Sequence, residues 1–159
     1  MRAILLMSLT LAATAFVQGE EVPLDRLPKA VKEAAQKRFP KAKITEASKA
    51  KDGEHWTYEV SLKHEGKKID VSLAESGAIT LIEQELAFEN LPKAVAKTFA
   101  EKFPGAKYEI IESVTKVSDG KETLEYYEST LVAADTKKWE VEVHPDGKFK
   151  SSSEVKASK

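Results

Sequence analysis

Cysteine is absent from this chain of 159 residues, and methionine occurs only at positions 1 and 7. A chain without thiols has no disulfides, no thiolate nucleophile and no thiolate metal ligands. Charge of one sign is lacking too: 25 basic side chains face 26 acidic ones, a net charge of −1 at pH 7. Such balance exerts no long-range pull on nucleic acid or anionic lipid. Basic clusters with interleaved aromatics are missing, which removes the usual footprint of a nucleic-acid binder. Neither a glycine-rich phosphate loop nor a Gly-x-Ser-x-Gly turn occurs. An enzyme is not expected, and the reading calls for no cofactor, no catalytic residue and no metal.

Long hydrophobic runs are limited to one. Arg2 precedes Ala3–Ala15, an uncharged stretch followed by small residues at Ala13-Thr14-Ala15 and at Val17-Gln18-Gly19. This is the pattern of a secretory signal peptide, and it is shorter than the ~20 residues of a membrane span. Both methionines fall inside it. No cysteine follows it to carry a lipid anchor, so the exported protein is expected to be soluble, without membrane insertion. The remainder is neither disordered nor membranous: 42% of all residues are hydrophobic and 32% charged.

What is present is a duplication. Leu27-Pro28-Lys29-Ala30-Val31 recurs as Leu91-Pro92-Lys93-Ala94-Val95, and Phe39-Pro40-Lys41-Ala42-Lys43 returns as Phe103-Pro104-Gly105-Ala106-Lys107. Leu27, Val31, Ala35 and Phe39 recur every four residues, as do Leu91, Val95, Phe99 and Phe103. Each series draws one apolar helix stripe. Pro28 and Pro92 suit a first helical turn, Asp25 and Asn90 are capping candidates, and Pro40 and Pro104 end the helices. Alternation then takes over. Trp56, Tyr58, Val60 and Leu62 interleave with His55, Thr57, Glu59 and Ser61, and Ile69, Val71 and Leu73 with Lys68, Asp70 and Ser72. Period two with one wet face predicts antiparallel strands. Glycine turns at Asp52-Gly53, Glu65-Gly66, Ser76-Gly77, Asp119-Gly120 and Asp146-Gly147 separate them. The strands are expected near 43–51, 54–63, 67–74 and 78–85, then 107–117, 122–132, 137–144 and 148–154.

The candidate chemistry is sparse. His55, His64 and His144 fall at strand starts or turns and do not converge as ligands or bases. Ser151-Ser152-Ser153 is a polar stretch without an activating base. Carboxylates are plentiful. Glu83 and Glu85, and Glu140 and Glu142, are two apart, and such pairs on a strand share a face. With Lys68, Lys138, Lys148 and Lys150 nearby, the ordinary reading is a solvated sheet face. Tyr126 and Tyr127 are adjacent on one strand and must point to opposite faces. One joins the core with Trp139, and the other, beside Glu128 or Thr130, is a candidate binding anchor.

The LPKAV helix start, the Phe-Pro-x-Ala helix end, Tyr58-Glu59-Val60 and the segment Asp70-Val71-Ser72-Leu73-Ala74-Glu75-Ser76-Gly77-Ala78-Ile79 together resemble the PepSY family. More narrowly, they resemble its PepSY-like members grouped with the beta-lactamase inhibitory protein fold. The resemblance covers nearly all of the chain after the leader, in two copies. It implies an extracytoplasmic bacterial binding or protease-inhibiting module, since the tandem-repeat inhibitor grips its enzyme with a sheet face. That inhibitor is disulfide-stabilised and this chain has no cysteine. Its interface residues do not match here, so beta-lactamase inhibition is not carried over.

The expectation is thus an α+β protein of two tandem repeats, each one helix followed by a four-stranded antiparallel meander, packed together or sharing one sheet. Residues 1–19 are the leader, 20–86 the first PepSY-like repeat, 87–155 the second and 156–159 a loose tail. The function expected is that of a periplasmic or secreted, non-enzymatic binding or inhibitory module. It would meet an extracytoplasmic protein through the sheet face opposite the helices, with Thr57, Glu59, Asp70, Tyr126, Glu128 and Glu140 as contacts. The alternative is a small-ligand or cation-binding protein using the acidic strand residues.

Overall fold

The structure, a computed structural model, describes residues 19–155. The expected leader, apart from Gly19, and the expected tail lie outside the described residues. In chain order the elements are β1 (Glu20–Glu21), α1 (Lys29–Arg38), β2 (Lys43–Asp52), β3 (His55–His64), β4 (Lys67–Ala74) and β5 (Ile79–Glu85). A 3-10 turn (Phe88–Asn90) leads to α2 (Lys93–Lys102), β6 (Lys107–Ser118), β7 (Lys121–Val132), β8 (Lys138–Val143) and β9 (Phe149–Glu154). Among the described residues the strands form one nine-stranded sheet in sequence order, and every neighbouring pair is antiparallel. The architecture is a strand-dominated α and β mixture with two helices among the described residues. β1 was not expected: two residues are too few for alternation to show, and they pair with Lys49 and Ser48 of β2.

Each helix is ten residues long, too short to persist on its own. It holds by burying its stripe. Val31 and Ala35 of α1 and Val95 and Phe99 of α2 are fully buried, with Leu27 and Leu91 just ahead of them. The helix starts correct the sequence reading. Pro28 and Pro92 are N-cap residues with extended backbone (ψ 135° and 139°), one position before the helix. Asp25 and Asn90 do not cap, and neither helix has a side-chain cap bond. A cap must immediately precede the first helical residue to reach its free N–H groups, and both lie too far upstream.

Two cores form on one face of the sheet. The first gathers Val31 and Ala35 with Tyr58, Val60, Leu62, Ile69, Val71, Leu73 and Ile82. The second gathers Val95 and Phe99 with Ile111, Leu131, Val141 and Val143. The register carries one into the other: Ile82 lies opposite Thr115 and Gln84 opposite Ser113, on the same side as Ile111. Val117 of β6 reaches back to pack on the first core. Arg38 at the end of α1 grips Glu122 of β7 with two bonds, Nε at 2.8 Å and Nη2 at 3.0 Å.

Each helix lies close against a glycine in a turn of the sheet. Gly77 and Gly147 both adopt φ +86°, and an added Cβ would approach Ala30 O and Ala94 Cβ respectively, each to 2.7 Å. Gly77→Ala is expected to cost about 2 kcal/mol by urea denaturation, from the positive φ together with displacement of α1. Gly66→Ala is the control. Its φ is +83° but nothing lies within 4 Å, so about 1 kcal/mol should be lost there. Equal losses at both positions would show that the helix does not press on Gly77.

Candidate functional site

The face turned away from the helices is where the polar side chains converge. Because successive strand residues alternate, Thr57 and Glu59 point opposite to Tyr58 and Val60, and Asp70 opposite to Ile69 and Val71. The same parity places Tyr126, Glu128 and Glu140 there, since Tyr127, Val141 and Val143 go to the core side. All six contact residues expected from sequence therefore share one face. Tyr127 joins the second core with Trp139, as expected.

Register brings more acids together than the sequence reading grouped. Asp70 lies opposite Glu83, Glu85 opposite Glu112, Glu112 opposite Glu128, and Glu128 opposite Glu142. Directly opposed like charges repel across strands. Nor is this face simply solvated, which corrects the ordinary reading. Asp70 is 7% exposed, and Glu59, Glu83, Glu112, Glu128 and Glu142 are half-buried. Strands only ~4.8 Å apart wall each acid between neighbours.

Two lysines enter the row. Lys68 Nζ is 2.8 Å from Asp70 Oδ2, and Ser61 donates a hydrogen bond to the other oxygen. Lys150 is the extra residue of a β-bulge in β9. Its Nζ is 2.5 Å from Glu142 and lies 3.9 Å from the centroid of the Tyr126 ring. Ser151 also donates to Glu142. The other two lysines are engaged elsewhere, Lys138 with Glu109 at 2.9 Å and Lys148 with Asp146 at 2.7 Å.

The titration behaviour follows from burial and crowding. Burial, then the charges of Glu112, Asp70 and Glu59, push Glu83 up to about 7. Burial, then Glu140, Glu83, Glu142 and Glu112, push Glu128 up to about 8. Glu59 and Glu112 are raised by burial first and by Asp70 second. Lys68 is raised as well. Burial pulls it down, but its hydrogen bond to Asp70 and the charges of Asp70, Glu112 and Glu59 outweigh that. Tyr126 is held protonated by burial and by the surrounding glutamates.

At the centre is an apolar spot. Val114 is completely buried yet belongs to neither helix-side core. It lies between Glu83 on β5 and Tyr126 on β7. The resulting surface is a half-buried tyrosine ring set among carboxylates next to a fully buried valine, with two lysines threaded in. It offers hydrogen-bond acceptors, negative charge and an aromatic contact. Glu112, Val114, Lys68 and Lys150 were not among the expected contacts.

The histidines are peripheral. His55 and His64 begin and end β3, and His144 follows β8, with Nδ1 3.3 Å from Glu125 O. Among the described residues no three His, Asp or Glu side chains are grouped to hold a metal ion. Among them, too, no helix is long and apolar enough to cross a membrane.

Residues 28–83 match the family model described as PepSY, peptidase propeptide and YPEB domain. Residues 56–156, more than half the chain, match the model described as "Putative beta-lactamase-inhibitor-like, PepSY-like". No curated protein matches. Among solved structures, a BLIP-like protein from Bacteroides fragilis is 19% identical with a TM-score of 0.60, covering 82% of this chain and 87% of its own. A DUF2874 family protein from Bacteroides uniformis is 17% identical with a TM-score of 0.64, covering 80% and 89%. A protein from Bacteroides eggerthii, described as a putative periplasmic protein, is 15% identical with a TM-score of 0.64, covering 80% and 88%. At such identities the shared property is the fold.

Proposed function

Since this chain belongs to the PepSY-like, beta-lactamase-inhibitor-like family, we propose that it acts by binding, as a non-enzymatic module whose open sheet face docks a protein partner outside the cytoplasm. One observation carries this reading. The half-buried Tyr126 ring, next to the fully buried Val114, is ringed by half-buried carboxylates on the face left free by both helices. A buried aromatic anchor inside a polar surround is how protein interfaces concentrate their affinity. The contacts are Thr57, Glu59, Asp70, Tyr126, Glu128 and Glu140, joined by Glu112 and Lys150. The leader-like N-terminus and the periplasmic description of a structural neighbour support a location beyond the inner membrane.

The two halves, 20–86 and 87–155, are read as copies of one unit. In support, the C-cap residues Phe39 and Phe103 have near-identical angles (φ −127° and −129°). Bulges follow Ile44 and Tyr108 alike, and Gly77 and Gly147 press equally on their helices.

Affinity capture from the envelope of the producing cell tests the binding role. A saturable partner should bind the wild-type chain and bind Tyr126→Ala at least about tenfold more weakly, the loss expected at an interface anchor. A partner held equally by both proteins, or none at all, overturns the proposal. Calorimetric titration with calcium separates it from cation carriage: saturable heat that Glu128→Gln abolishes would favour the latter.

A further inference from the structure

The helix side of the first half carries an unfilled groove whose counterpart in the second half is filled by the chain itself. The two corners share a backbone. Ala42 N–H donates to Phe39 O at 3.1 Å, as Ala106 N–H does to Phe103 O at 3.2 Å. The strand that follows bulges at the same place, after Ile44 in β2 and after Tyr108 in β6. What differs is the side chains. In the second half the Phe88 ring lies on Tyr108 with centroids 4.7 Å apart, and Phe99 meets Tyr108 edge-on at 6.1 Å. By the spacing that aligns the two helices, Leu24, Ile44 and Ala35 occupy those three positions in the first half.

Smaller aliphatic side chains thus stand where the second half has rings, and two of them, Leu24 and Ile44, line a groove; Ala35 is fully buried and does not. The groove has a volume of about 400 Å³ and is floored by Leu24, Leu27, Ala42 and Ile44. Pockets that take small molecules span ~300–1,000 Å³, so one aromatic side chain fits comfortably. Lys32 and Lys43 stand exposed at its rim. Among the described residues neither forms an ion pair. At the filled corner, the position of Lys32 is held by Ala96. The groove therefore pairs an apolar floor with positive charge that the filled corner has less of.

We propose that this groove is a second binding site, separate from the open face, for an acidic segment of another protein that inserts one phenylalanine or tyrosine. The ring takes the place that Phe88 fills in the other half, and the neighbouring carboxylates meet Lys32 and Lys43. The chain itself supplies a template for the occupant: Phe88 is followed directly by Glu89.

The probe is the peptide acetyl-Leu-Ala-Phe-Glu-Asn-amide, titrated into the isotope-labelled full chain and followed by amide chemical shifts. Saturable shifts are expected at Leu24, Leu27, Ala42 and Ile44. The double variant Leu24→Phe, Ile44→Tyr installs the second half's side chains and should weaken binding at least tenfold. Lys32→Glu with Lys43→Glu, which leaves the floor intact, should weaken it several-fold, and a peptide with alanine for phenylalanine should not bind. Thermal melts of both variants accompany the titrations. If the filled variant fails to fold, the lysine variant and the alanine peptide still decide. Absence of saturable shifts, shifts confined to the open face, or equal binding by the alanine peptide would each overturn the site.

Discussion

Replacing Phe99 with alanine is expected to remove about 3–5 kcal/mol of stability, the largest loss foreseen for a single side chain here. Phe99 is completely buried, in contact with Tyr108 at the centre of the second core. That core is the smaller of the two. Among the described residues seven buried ones form it, against twelve in the first, so few neighbours can collapse into the space the ring leaves. No disulfide holds the half together if the core fails, because the chain has no cysteine. Against a typical total of about 5–15 kcal/mol, the change takes about a fifth or more of what holds the protein folded. Urea denaturation followed by circular dichroism measures it. One transition is expected in both proteins, since β5 and β6 pair across five residue positions and tie the halves into one sheet. A loss under about 1 kcal/mol would mean the second core collapses freely around the gap. Two separate transitions would mean that the halves fold independently.

Order that is local along the chain is legible in the sequence, and order that depends on strand pairing is not. The helix stripes were legible because Val31 and Ala35, and Val95 and Phe99, repeat every four residues within ten-residue helices. Strand spans were legible because glycine turns bracket them. The six contact residues fell on one face because, within an unbroken strand, parity decides facing. Parity fails at a bulge. Counting by twos from Tyr108 puts Glu112 and Val114 on the core side, but the extra residue Glu109 in β6 flips them onto the open face. Adjacency of the acids was not legible at all. Asp70, Glu83, Glu112, Glu128 and Glu142 are far apart in sequence and become neighbours only through register, which the pattern of single strands does not fix.

That crowding should make the folded protein lose stability as pH rises through neutrality, and the double variant Glu83→Gln, Glu128→Gln should remove the loss. Glu83 titrates at about 7 and Glu128 at about 8 when folded, both above the ordinary 4.5. A carboxyl that holds its proton more tightly when folded stabilises the fold fully below pH 4.5. Its contribution is lost as pH climbs through the folded value, because the charged form must then be buried among other charges. The groups facing the pair are Glu59, Asp70, Lys68, Glu112, Tyr126, Glu140, Glu142 and Lys150. Only Lys68 and Lys150 among them are positive, and each already has a closer partner in Asp70 or Glu142. Water still reaches both glutamates, so the effect is discounted to about 1–2 kcal/mol apiece, or about 2–4 kcal/mol for the pair between pH 5 and pH 9. Other acids work in a different window. Hydrogen bonds from Lys138, Arg38 and Lys148 pull Glu109, Glu122 and Asp146 down, so what they contribute is lost only under stronger acid. Urea midpoints at pH 5, 7 and 9 should fall steadily for the wild type and stay nearly level for the double variant. Parallel curves for the two proteins would show that the acids opposed across the sheet ionise without strain, and the electrostatic account of the open face would fail with them.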